Sequence, residues 1–175
     1  MKTKFVIFLV TGIIAILLVL FYIFFFNNIF VKAIPMNFID VNKTTVGINQ
    51  INLILYNIKA YELHNPPFSS NTPKIEFVIE DEIYNTEIVK GKIITKKEGI
   101  ENPDLKIIMP KEEFLFILNS NDLKKSLQDS VSNGNTKIEI LAGNTELFVK
   151  GYLSLYQEIT GKSLTGNVIK IFSTS

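Results

Sequence analysis

His64 is the only histidine of the 175-residue chain, and cysteine is absent. No imidazole pair, Cys/His metal set or thiolate nucleophile can therefore be assembled. His64 stands before Asn65-Pro66-Pro67 and reads as a solvated loop residue. Glu80-Asp81-Glu82 could offer oxygens to a cation, but three adjacent acids in one turn point to different sides. No calcium-loop spacing follows them, so the triplet reads as a hairpin tip. The sequence holds no Gly-x-Ser-x-Gly elbow, no phosphate-binding loop and no dinucleotide fingerprint. Gly143-Asn144-Thr145 reads as a turn, and Lys96-Lys97 is too short a basic run to bind a polyanion. No catalytic residue, metal site or cofactor is expected, and the chain does not read as an enzyme. One modification signal remains, the N-glycosylation acceptor Asn42-Lys43-Thr44.

The candidates for function are then apolar. Phe114, Leu118, Leu127, Val131, Phe148, Tyr152 and Leu155 recur at helical spacing, and the helices that carry them would face a sheet. Such stripes form either a close-packed core or the wall of a cavity for an apolar ligand.

The elements that would place these side chains begin at a membrane. Phe5 to Phe26 carries no charge, and only Thr11 and Tyr22 bring polar side-chain atoms. As a helix it would run about 33 Å, enough to cross a hydrocarbon core of about 30 Å. It is longer than the apolar core of a signal peptide and ends in Phe24-Phe25-Phe26 rather than small residues, which argues against cleavage. Lys2 and Lys4 precede it, so the amino terminus is expected in the cytoplasm and the remainder outside the cell membrane. Residues 27–44 would be a juxtamembrane linker.

All 18 basic residues are lysine. Subtracting Lys2 and Lys4 leaves 16 against 17 acids, a net charge near −1 beyond the anchor. That balance excludes a nucleic-acid partner and a polybasic lipid patch. The expected partners are the lipid bilayer and a hydrophobic ligand. An extracytoplasmic domain with no disulfide must rely on its core.

Ile48, Ile51, Leu55 and Ile58 predict an amphipathic helix over 45–63, stopped at Pro66-Pro67. The period then changes to that of strands. Lys74 to Glu80, Ile83 to Lys90 and Lys92 to Lys96 read as an antiparallel meander. A fourth strand, Asp104 to Met109, leads through Pro110 into a helix with Phe114 and Leu118. A second helix carries Leu123, Leu127 and Val131, with Gly134 placed to cap it. Lys137 to Leu141 is a fifth strand. The last helix carries Phe148, Tyr152, Leu155 and Ile159, with Gly151 inside it, and Val168 to Phe172 is either a closing strand or a tail.

The stretch Asp104 to Tyr156 resembles the sterol carrier protein 2 domain. The likeness rests on the strand Asp-Leu-Lys-Ile-Ile-Met, a helix opening Lys-Glu-Glu-Phe, a second helix, the strand at Gly134-Asn135-Thr136-Lys137-Ile138-Glu139-Ile140 and a final helix with Leu147 and Leu153. The chain has Gly-Asn-Thr-Lys where that family has Gly-Lys. The resemblance covers about residues 45–160, within a domain expected over 45–172. It implies an α+β fold, an antiparallel five-stranded sheet with helices on one face, here preceded by one transmembrane helix. It also implies binding of a lipid or other hydrophobic ligand in an apolar cavity, because several members accept lipids between sheet and helices. Other members use the fold as a packing module, so a structural or protein-interaction role in a membrane assembly is the alternative.

Overall fold

A computed structural model describes residues 12–20 and 41–162. The chain divides into two compact units, Met1–Val31 and Lys32–Ser175. In the first, residues 12–20 form helix α1, with its apolar side chains exposed. Among the described residues no helix is long and apolar enough to cross a membrane. The rest of the apolar run Phe5 to Phe26 lies outside the described residues, as do residues 27–40 of the linker and the Val168 to Phe172 segment.

The second unit is an α+β domain. Helix α2 spans Ile48–Asn57, followed by a 3₁₀ turn at Ala60–Glu62. Lys59 between them adopts a left-handed conformation (φ 56°), which splits the single helix expected over 45–63. Three strands follow as a meander: β1 (Lys74–Ile79), β2 (Glu82–Val89) and β3 (Lys92–Lys96). Lys90 and Gly91 both take positive φ between β2 and β3, the backbone that a two-residue hairpin turn needs to match strand twist. Strand β4 (Leu105–Met109) then leads to α3 (Lys111–Asn119) and α4 (Leu123–Asn133). Asp122 caps α4 by accepting from the Lys125 N–H at 2.9 Å, and Gly134 closes it at φ 80°. Strand β5 (Lys137–Ile140) precedes α5 (Asn144–Lys150) and α6 (Tyr152–Thr160).

The sheet order is β3-β2-β1-β4-β5. The expected all-antiparallel sheet is corrected here: β1 and β4 run parallel, so the sheet is mixed. The cause is the connection between β3 and β4. β3 ends at Lys96 and β4 begins at Leu105, so eight residues (97–104) carry the chain past β2 and β1 to the far side of β1. Three strand spacings of about 4.8 Å and one strand length of about 17 Å give a diagonal of about 22 Å. An extended segment of that length reaches it without a helix. The segment crosses the sheet face away from the helices. Asn85 Nδ2 donates to the carbonyls of Glu98 (3.1 Å) and Gly99 (3.2 Å), and Glu76 Oε2 accepts from the Ile100 N–H at 3.3 Å. This strap is why Glu76 and Asn85 are buried on the face that otherwise carries charge.

The other face is apolar. Ile75, Phe77, Ile79, Ile88, Leu105 and Ile107 are buried there, and helices cover it. Alternation along each strand produces this two-sidedness, because successive side chains leave opposite faces. One polar cluster interrupts the apolar layer: Thr95 Oγ1 donates to Asn52 Oδ1 (2.5 Å) and lies 2.8 Å from Thr86 Oγ1, fixing α2 over β2 and β3.

Candidate functional site

The apolar side chains singled out by spacing divide into two groups. Phe114, Leu118 and Leu127 are fully buried, Tyr152 and Leu155 nearly so, and Val131 packs half-buried against them. These six belong to one hydrophobic layer between helices and sheet. Phe148 does not join them. It is 69 % exposed, against the expectation that it faces the sheet. The reason is Gly151 (φ 85°), which ends α5 and starts α6 on a new axis. The 4, 3, 4 spacing from Phe148 to Ile159 thus spans two helices, and the register of the first does not carry into the second.

Spacing did not find the charged knot beside this layer. Lys150 is 1 % exposed and Asp104 3 %. Lys150 Nζ lies 2.8 and 2.9 Å from the two oxygens of Asp104 and 2.7 Å from Glu146 Oε1, and it donates to the Thr72 carbonyl at 3.2 Å. Asp104 Oδ2 also accepts from the Lys74 N–H (2.7 Å) and the Tyr152 hydroxyl (2.9 Å). Asn71 Nδ2 donates to Glu146 at 2.7 Å. Asp104 binds through its backbone as well, donating to the Lys74 carbonyl and accepting from the N–H groups of Leu141 and Ala142. One residue before β4 therefore joins β1, the end of β5, α5 and α6. A sequence signal existed: Lys150 falls three residues after the buried Leu147, on the inner side of α5.

The electrostatics follow from this geometry. Burial, then the neighbouring Asp104 carboxylate, push the Tyr152 hydroxyl well above its ordinary value, so it stays protonated and donates. The Lys150 hydrogen bond holds Glu146 below the usual carboxylate range. A cleft of about 570 Å³ opens beside the knot, lined by Asn71, Lys74, Asn102, Asp104, Lys106 and Glu146 among others. Its acids face Lys150, and Lys106 is paired with Glu76 at 2.8 Å. The cluster ties Thr72, Asp104, Glu146, Lys150 and Tyr152 into one network that joins β1, α5 and α6. A second cleft of about 390 Å³ lies between Glu80, Pro110 and Lys137. Neither cleft is lined by the seven stripe residues.

The remaining sequence candidates are placed as follows. Asn42 is exposed, and its Oδ1 accepts from the Thr44 N–H (2.8 Å) and hydroxyl (2.6 Å), so the acceptor tripeptide forms a closed turn. His64 is half-buried rather than solvated: its backbone N–H donates to the Lys150 carbonyl at 3.2 Å, tying the loop to the end of α5. Among the described residues no group of acids and histidines could hold a metal ion.

No family model matches the sequence, and no curated protein matches it. Among solved structures the domain is similar to UbiJ-SCP2, a ubiquinone synthesis protein. The identity is 10 %, over 62 % of this chain and 94 % of that one, at a TM-score of 0.35. It is similar to palmitated SCP2L2 from Aedes aegypti at 16 % identity, over 61 % of this chain and 91 % of that one, at a TM-score of 0.34. A double mutant of the sec-alkyl sulfatase PisA1 aligns at 11 % identity over 69 % of this chain, with a TM-score of 0.40. The chain spans 17 % of that sulfatase's length. No residue's role follows from these likenesses.

Proposed function

We propose that this chain is a single-span membrane protein whose outer domain binds a lipid or other hydrophobic molecule without transforming it. The observation that carries this reading is the continuous apolar layer between the helices and the mixed sheet, with Phe114, Leu118, Leu127 and Leu155 at its centre. An apolar chain of about 300 Å² moved from water into that layer would contribute about 7.5 kcal/mol at 25 cal/mol per Å², from which the ordering cost of binding is subtracted. The uncharged run Phe5 to Phe26 would keep the domain beside its lipid source, with the amino terminus in the cytoplasm.

Native mass spectrometry of the full chain, released from non-ionic micelles after exposure to membrane lipid extract, tests this. A discrete added mass of lipid size is expected, weakened in Leu155→Trp, which fills the layer. An apo mass at every lipid concentration overturns the reading.

A second reading has its own observation. The six stripe residues other than Phe148 pack together in one layer, and the two clefts described above lie elsewhere. A packing or interaction module of a membrane assembly needs no cavity, and crosslinking in membranes to a defined neighbour, with no bound lipid, would establish it.

A further inference from the structure

A closed apolar layer can accept a ligand only if part of its cover opens. Helix α5 differs from the rest of that cover in how it is held. It is bounded by Gly143 and Gly151, and Gly151 sits in the left-handed region (φ 85°). A side chain at Gly143 would meet nothing within 4 Å, so the backbone there faces open space on that side. Of the residues in α5 only Leu147 and Lys150 are buried, and one of them is a lysine. The helix is held by polar links: Lys150 to Asp104 and Thr72, Glu146 to Asn71, and the Lys150 carbonyl to the His64 N–H.

Helix α6 is held in the opposite way. Tyr152, Leu155 and Ile159 enter the core, and Gln128 Nε2 on α4 donates to the Glu158 carbonyl at 2.9 Å. Lys124 and Lys59 both pair with the Glu158 carboxylate. Helices α4 and α6 therefore stay together as one packed pair.

The distinction matters for motion. Separating buried apolar groups exposes surface to water with nothing in return. Separating a buried ion pair returns hydration to both charges, which offsets much of the lost attraction. Segments with few buried apolar contacts open locally, well below the free energy of global unfolding. Release of the knot would free the Tyr152 hydroxyl, which donates to Asp104, and would withdraw Leu147, the one buried apolar side chain of α5, from the layer, while Phe148 is already exposed.

We infer that α5 is a gate over the apolar layer, hinged at Gly143 and Gly151 and latched by the Asp104–Lys150–Glu146 knot. The inference rests on the proposed binding of a hydrophobic ligand for its purpose, but the motion can be tested without one. Hydrogen exchange of the full chain in non-ionic micelles reads it directly. The Leu147 and Gly151 amides, which donate to Gly143 and Phe148, should exchange at least tenfold faster than the matching end amides of α4, Ser126 and Gly134, and the Gly161 amide that closes α6. Equal rates in the three helices overturn the gate, whatever the lipid result. The chain has no cysteine, so Asn71→Cys with Glu146→Cys introduces the only two thiols. Bridging them with a short bismaleimide should slow lipid uptake at least tenfold relative to the unbridged double variant. Undiminished uptake in the bridged protein also overturns the gate. Fast local exchange with no lipid bound to any form leaves the gate standing and refutes the ligand reading.

Discussion

Replacing Lys150 by Met removes a buried ammonium while keeping the length and apolar stem of the side chain. Three contacts at 2.7–2.9 Å to two carboxylates are lost, together with the 3.2 Å bond to Thr72. Asp104 is left 3 % exposed, with the Lys74 N–H and the Tyr152 hydroxyl as its remaining side-chain donors. Breaking a buried pair from one side costs about 3–5 kcal/mol, and the two surviving donors place this case near about 3. Domains of this size have about 5–15 kcal/mol to lose, so Lys150→Met should fold but unfold at clearly lower urea. The chain lacks tryptophan, so far-ultraviolet circular dichroism is the suitable signal. Adding Asp104→Asn should recover about 1 kcal/mol or more, because the stranded charge is gone. Lys125→Met, which breaks an exposed pair with Asp129, should cost under about 0.5 kcal/mol. A Lys150→Met cost as small as that of Lys125→Met would refute the account of the knot as a buried, mutually dependent unit.

Three further outcomes are expected. Gly151→Ala has ordinary room for its methyl, 3.7 Å from His64, but must hold φ 85°, so a loss of about 1–2 kcal/mol should appear in thermal melts. Leu127→Asp, which places a charge in the core, should abolish cooperative unfolding, whereas Phe148→Asp on the exposed side of α5 should shift stability by no more than about 0.5 kcal/mol. Burial pushes the Glu158 carboxyl up, but its hydrogen bonds to Lys124 and Lys59 outweigh that and hold it below 4.5. A lowered folded-state value means that its stabilisation is complete above the unfolded value and is lost as pH falls through the folded one. Acid titration of stability should therefore steepen below about pH 4.5 in the natural chain and flatten in that range in Glu158→Gln.

The parts of the fold that were legible are those set by local chemistry. The β1–β2–β3 meander follows from alternation with turn residues at Glu80-Asp81 and Lys90-Gly91, and all three strands lie where the alternation puts them. The buried core of α3 and α4 likewise follows from the spacing of Phe114, Leu118 and Leu127. The direction of β4 was not legible. The residues of the strap, Lys97 to Asp104, carry turn formers and charges, and nothing local distinguishes a hairpin from a diagonal crossing. What decides is tertiary: Glu76 and Asn85 on adjacent strands present a carboxylate and an amide to the strap's backbone, and that pairing is invisible along the chain.

The misread position in the last helical region, Phe148, and the unread one, Lys150, have one physical origin. A hydrophobicity count assigns Phe inward and Lys outward, and over a single unbroken helix that is the better wager. Gly151 breaks the helix, so the inner side of α5 is decided by where Asp104 waits rather than by the stripe of α6. Once Leu147 is packed, Lys150 lies one turn along on the same side, and its charge is tolerated because Asp104 and Glu146 meet it. Phe148, about 100° around from Leu147, must then face out. Its exposure is thus a consequence of the knot and not an independent feature. If the knot is dissolved by Asp104→Leu with Lys150→Leu, α5 has no polar reason to keep this register. Phe148 should then compete with Leu147 for the interior, and a nitroxide attached at Val149→Cys would report the rotation as a change in mobility. An unchanged spectrum in a folded double variant would mean that Leu147 and the two hinges alone fix α5, and the knot would then be its latch but not its organiser.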